Sequence, residues 1–88
     1  MKIKVELFGV CREFSDKDFI DLEFDKNIQI KDIRNEMIKF VENKFPENKN
    51  YLEMVKKSAF SSKDEIVEDE FMLNNNQTVS IIPPIGGG

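Results

Sequence analysis

The hydrophobic period of this chain changes along its length, and that change constrains the fold more than any other feature. In Lys2-Ile3-Lys4-Val5-Glu6-Leu7-Phe8 polar and apolar residues alternate, so Ile3, Val5 and Leu7 share one face of a strand that Gly9 ends. After a polar stretch from Arg12 to Lys17, the alternation returns in Ile20-Asp21-Leu22-Glu23-Phe24, and two strands this close predict a hairpin. From Ile30 the spacing is helical: Ile30, Ile33, Met37, Phe40 and Val41 lie on one side, with Lys31, Asp32, Arg34, Asn35, Lys39 and Glu42 on the other. Gln29 is a poor N-cap, which leaves the start of this helix open. Pro46 lacks a backbone donor and disfavours helical geometry in Phe45, so the helix ends near Lys44.

A second, shorter helix is predicted over 48–57, with Tyr51, Leu52 and Val55 facing inward. Ser58-Ala59-Phe60-Ser61 and Glu65-Ile66-Val67 are short strand candidates around a turn at Ser62-Lys63-Asp64. Asn74-Asn75-Asn76 marks another turn, because asparagine tolerates left-handed backbone, and it introduces a last strand, Gln77-Thr78-Val79-Ser80-Ile81-Ile82. Pro83-Pro84 ends sheet pairing and biases the chain to an extended conformation. The reading is one domain over 1–82 followed by a flexible tail, Pro83-Pro84-Ile85-Gly86-Gly87-Gly88.

Composition narrows the function. An 88-residue chain has room for one core and little room for a deep catalytic cleft. With 13 basic and 17 acidic side chains its net charge is -4, which repels nucleic-acid backbones and suits a basic partner. No apolar run approaches the roughly 20 residues that span a bilayer, and charges interrupt the segment after Met1; the expectation is a cytoplasmic protein with no membrane partner. Cys11 is the only cysteine, so no internal disulfide can form, and no CxxC or basic cluster marks it as reactive. The chain has no histidine and so lacks the commonest general base and metal ligand. The acidic residues Asp64, Glu65, Glu68, Asp69 and Glu70 have no regular metal-ligand spacing and read as a solvated surface; no metal site is expected.

The order hairpin, helix, short strands, final strand describes an α+β domain in which a main helix covers one face of a mixed sheet. Ubiquitin-like β-grasp folds have this order, with the first and last strands parallel and adjacent. Counting by twos, Phe8 then falls opposite Ile3, Val5 and Leu7, and Ile82 opposite Val79 and Ile81. Both would share an outer face otherwise carrying Lys2, Lys4, Glu6, Thr78 and Ser80. That makes an apolar docking patch beside the root of the tail, unless the second helix covers one of the pair.

The ending Ile81-Ile82-Pro83-Pro84-Ile85-Gly86-Gly87-Gly88 resembles that of the small subunit of molybdopterin synthase, the MoaD family: a strand, a Pro-Pro pair, an aliphatic residue, a variable residue and a terminal Gly-Gly. Ile3-Lys4-Val5-Glu6-Leu7-Phe8-Gly9, followed by Arg12-Glu13-Phe14, is similar to the family's first strand and the Arg-Glu-apolar segment after it. The middle departs from the pattern near Phe60 and at Asn74-Asn75-Asn76. The resemblance implies a sulfur carrier that binds no cofactor. A ubiquitin-activating-like adenylyltransferase spends ATP to adenylate the Gly88 carboxylate, and a sulfur donor enzyme converts it to a thiocarboxylate. The tail, Pro83 to Gly87, then enters a pocket of the molybdopterin synthase large subunit, where the sulfur passes to a cyclic pterin phosphate precursor of the molybdenum cofactor. Phe8, Arg12 and Ile82 become the partner interface, and the assembly is a heterotetramer of two carriers and two large subunits.

Elementary geometry agrees with that use of the tail. Six residues from Pro83 to Gly88 reach about 20 Å when extended, at roughly 3.3 Å each. Glycine lets other backbone approach closely, and proline reduces the entropy lost on ordering. A thiamine-pathway sulfur carrier of the ThiS kind shares the fold and the Gly-Gly end, but the Pro-Pro pair and the extra length argue against it; the other readings are a ubiquitin-like modifier joined through Gly88 to target lysines and an interaction module with an inert tail.

Overall fold

The computed structural model describes residues 1–84. Its elements are strands β1 (Lys2–Leu7), β2 (Phe19–Glu23) and β3 (Ile28–Gln29), helices α1 (Ile30–Lys44) and α2 (Lys49–Lys57), and strands β4 (Ala59–Ser62), β5 (Glu65–Val67), β6 (Met72–Leu73) and β7 (Gln77–Ile82). A 3-10 helix, Gly9–Phe14, follows β1. Five strands form one sheet in the order β2-β1-β7-β4-β5, while β3 and β6 pair separately. β1 and β7 run parallel at its centre, with Val5 beside Val79 and Leu7 beside Ile81. The remaining pairs in both sheets are antiparallel. This is the expected ubiquitin-like β-grasp, an α+β domain with a mixed sheet and a helix packed on one face.

The alternation explains the packing. Ile3, Val5, Leu7, Val79 and Ile81 are buried on one side and meet Ile30, Ile33, Met37 and Val41 of α1 in a single core, joined by Phe60, Val55 and Leu73. Burying each such side chain contributes about 1.5–3 kcal/mol relative to leaving it in water. The start of α1, left open by the sequence, is fixed both by its own first turn and from outside the helix. Asp32 accepts a hydrogen bond from the Gln29 N–H (2.9 Å). The Ile30 and Lys31 N–H groups donate to the carbonyls of Phe71 (3.0 Å) and Asp69 (3.0 Å). Orphan donors of the first turn are thus satisfied by backbone about 40 residues away in sequence, which a poor local cap cannot reveal.

At the other helix, the Asn48 side chain caps α2 by accepting from the Tyr51 N–H (3.0 Å). Its inward face is Tyr51, Met54 and Val55, so Met54 takes the place expected for Leu52, which does not pack against the core. Positions 51, 54, 55 and 58 follow helical spacing, whereas Leu52 lies a further 100° round the helix from Tyr51. Two strands are shifted by one residue: β2 covers 19–23 rather than 20–24, and β4 covers 59–62 rather than 58–61. Lys63 and Asp64 both have positive φ (53° and 67°), forming the two-residue turn that lets β4 and β5 pair without splaying.

Candidate functional site

The C-terminal ends of β1 and β7 set the geometry. Leu7 pairs with Ile81, and Phe8 keeps extended backbone (φ -121°, ψ 153°), so one step further the parallel register sets Phe8 beside Ile82. Ile82 in turn pairs with Ala59 of β4. Phe8 is 40% exposed and Ile82 half-buried, both on the face away from α1. The expected parity holds, and α2 does not cover Phe8.

Sequence reasoning missed Val10 and Ile66. Val10, in the 3-10 helix, is 45% exposed, and Ile66, across from Ser61 on the outer face, is 65% exposed. Val10 stood unremarked between Gly9 and the stretch read as polar. Ile66 lay in a strand whose register the sequence did not give. Elsewhere the outer face is polar: Glu6, Ser61, Thr78 and Ser80 line a shallow hollow, and the Lys4 ammonium lies 4.3 Å from the Phe19 ring centre.

Gly9 shapes the exit of the tail. Its φ is +55°, and a Cβ placed there would sit 3.0 Å from Pro83 Cγ. The chain therefore turns away from β1 at a residue without a side chain, and the half-buried Pro83 ring rests against it while Pro84 is exposed. Ile85, Gly86, Gly87 and Gly88, assigned above to tail insertion and to thiocarboxylate formation, lie outside the described residues. Arg12 is exposed on the 3-10 helix, close to Phe8 in sequence.

The 3-10 helix itself corrects the reading of a polar connection. Cys11 and Phe14 are fully buried, and Phe14 packs edge-on to Tyr51 with ring centres 5.2 Å apart. Burial pushes the Cys11 thiol up to about 11, so at neutral pH it is protonated and shielded, the opposite of a nucleophile. Tyr51 donates a hydrogen bond to the Glu13 carboxylate, and that bond, more than burial, raises the phenol above its ordinary range. Lys44 donates to the Phe14 carbonyl (2.9 Å), tying the same segment to α1.

Arg34 joins three elements. Its guanidinium donates to the carbonyls of Val55 (2.8 Å), Lys56 (3.2 Å) and Ser58 (2.8 Å) and to the Asp69 carboxylate (2.8 Å). It ends α2 and holds the segment that caps α1, while stacking 5.0 Å from the Phe60 ring centre. Among the described residues no His, Cys, Asp or Glu side chains gather in a group of three or more fit to hold a metal ion, and no helix is long and apolar enough to cross a membrane.

Two solved structures share this architecture. SAMP1 from Haloferax volcanii superposes with a TM-score of 0.67 at 13% identity, covering 100% of both chains. A putative molybdopterin converting factor, subunit 1, from Pyrococcus furiosus gives a TM-score of 0.65 at 17% identity, covering 96% of this chain and 98% of that one. Identities this low establish the fold alone, the ubiquitin-like β-grasp. Among curated proteins none matches the chain closely in sequence. The family model described as ThiS family, however, matches residues 5–88, from the first strand through the final glycine, and the chain belongs to the ThiS family.

Proposed function

We propose that this chain is the sulfur-carrying small subunit of a molybdopterin synthase. Gly88 is adenylated by a ubiquitin-activating-like enzyme at the expense of ATP, and a sulfur donor enzyme then converts the acyl adenylate to a thiocarboxylate. The tail delivers that sulfur to a cyclic pterin phosphate precursor inside the large subunit. The observation that carries the reading is the ThiS family match running through residue 88, so that the Gly-Gly end is part of the family pattern. The likeness to the Pyrococcus furiosus molybdopterin converting factor subunit supports the choice of pathway, as does the Phe8–Ile82 row beside Pro83, with Arg12 nearby. The buried Cys11 leaves sulfur handling to the terminus, and acid, base and phosphate-binding groups come from the partners.

The test is the intact mass of the chain purified from cells that retain its activating enzyme. A rise equal to exchange of one oxygen for sulfur supports a carrier. Adducts with lysine peptides identify a modifier, and an unchanged terminus identifies an inert module. The name of the matched family favours a second reading, a thiamine-pathway carrier. Adding the molybdopterin large subunit and precursor to the thiocarboxylated chain separates the two: dithiolene product supports the first, and its absence rejects it. Deleting Gly88 abolishes transfer on either carrier reading.

A further inference from the structure

The five-stranded sheet ends on one side at β2, and among the described residues no strand pairs along its outer edge. The ladder to β1 fixes which groups that edge leaves free. Leu7 N–H donates to the Asp18 carbonyl (2.8 Å), and Phe24 N–H donates to the Met1 carbonyl (2.8 Å). The Met1 amino group returns a bond to the Phe24 carbonyl (2.6 Å). With Val5 opposite Ile20 and Ile3 opposite Leu22, this pattern makes Ile20 and Leu22 the residues that bond to β1. The N–H and C=O groups of Phe19, Asp21 and Glu23 therefore point out of the sheet, three donors and three acceptors at strand spacing.

Two hollows lie beside this edge, between β2 and α1, and together outline a groove. The near one is lined by Lys17, Ile20, Phe40 and Lys44. The far one, about one turn toward the start of α1, is lined by Phe24, Ile28, Asn35 and Lys39. Their charge is uneven in a chain whose net charge is -4. The far part mixes Lys26 and Lys39 with Asp25, Asp32 and Glu36. The near part presents two ammonium groups, Lys17 and Lys44, and its one carboxylate, Asp21, has Lys4 as cross-strand neighbour. A second copy of the chain is a poor occupant. Antiparallel pairing of two β2 edges sets Asp21 against its own counterpart or against Glu23 in two of the three central registers, which like-charge repulsion disfavours.

We propose that the β2 edge and this groove form a second docking surface, which takes an extended segment of a partner protein as an added strand. Alternate apolar side chains of the segment lie against Ile20 and Phe40, and acidic residues at one end meet Lys17 and Lys44. The surface is on the helix side of the sheet, whereas the Phe8–Ile82 row is on the outer face, so both can be occupied together. This assignment stands independently of which sulfur pathway the tail serves.

The probe is a capped heptapeptide, Asp-Asp followed by alternating Val and Thr, titrated into the 15N-labelled full chain. Expected are saturable shifts along β2 and the facing turns of α1. At saturation, amide exchange of Phe19, Asp21 and Glu23 slows about tenfold while Ile20 and Leu22 are unchanged. Lys17→Glu, an exposed substitution, weakens binding about two- to fivefold. A Lys-Lys version of the peptide binds more weakly than the Asp-Asp one. Absence of shifts up to millimolar peptide overturns the proposal. So do shifts centred on Phe8 and Ile82, or indifference to the Lys17 change. Slow exchange of the three amides in the free chain, with a dimer in sedimentation, assigns the edge to a second copy and also overturns it.

Discussion

On the helix side of the sheet Ile3, Val5, Leu7, Phe60, Val79 and Ile81 are each 2% exposed or less, whereas Phe8 and Ile82, one residue beyond Leu7 and Ile81, face outward at 40% exposed and half-buried. The residue types are the same on both faces. Only parity differs, and it assigns one set to holding the domain together and the other to a surface that folding does not use fully. Retaining large apolar side chains on a face otherwise lined by Glu6, Thr78 and Ser80 is what a docking surface requires.

The sharpest way to break this contrast is to place the same charge on adjacent residues. Leu7→Asp puts a carboxylate into the core and should cost more than about 4 kcal/mol in urea unfolding, enough to unfold much of the population. Phe8→Asp should shift stability by less than about 1 kcal/mol and, on the proposed function, weaken binding to the molybdopterin synthase large subunit by at least about tenfold in calorimetry. Similar stability losses for both would show that Phe8 belongs to the core.

A smaller effect separates polar groups at the rim of the core from those on the open face. Arg34→Ala removes the side-chain donor from the Ser58 carbonyl and the Asp69 carboxylate and leaves the Val55 carbonyl only the Ser58 N–H at 3.4 Å, and should cost roughly 2–3 kcal/mol. Arg34→Lys should recover only part, because one ammonium cannot reproduce the fork. Lys4→Ala on the outer face should be nearly neutral by the same measurement.

Cys11 sharpens the comparison through pH. Its thiol is held up at about 11 by burial, against an unfolded value of 9.0. Between those values the unfolded chain has released the proton that the folded chain keeps, so stability present below pH 9 should fall as pH rises toward 11. Cys11→Ala should flatten that part of the stability curve, and an unchanged slope would show that the thiol is not responsible. The smallest effect is at the β4–β5 turn. Replacing Lys63-Asp64 with Asn-Gly relieves two positive φ angles and should raise stability by about 0.5–1 kcal/mol in thermal unfolding.

The long periodic segments were legible in the sequence because their apolar faces repeat often enough to fix their type, and prolines mark where they stop. β7 spans Gln77–Ile82 and α1 ends at Lys44, as read, while the start of α1, left open, falls at Ile30. β3 and β6 have two residues each and can show no period, so the small second sheet left no mark. The 3-10 helix reads as polar because Arg12 and Glu13 stand exposed between the buried Cys11 and Phe14. Arg34 was placed correctly on the polar side of α1, yet its partners lie 21 to 35 residues away, and nothing local announces them. For the site, parity along two strands gave Phe8 and Ile82. The third member of the row, Ala59, depended on the antiparallel register of β4 on β7, which only the folded chain supplies.

The central place of β7 has a consequence for synthesis. β7, the most C-terminal of the described strands, sits between β1, the most N-terminal, and β4, and bonds to both. A polypeptide released before Gln77 lacks the middle of its sheet, with two groups of strands left unjoined and their apolar faces open to water. The topology makes closure of the sheet depend on its most C-terminal described strand, so the core is complete only once the chain through Ile82 has been made.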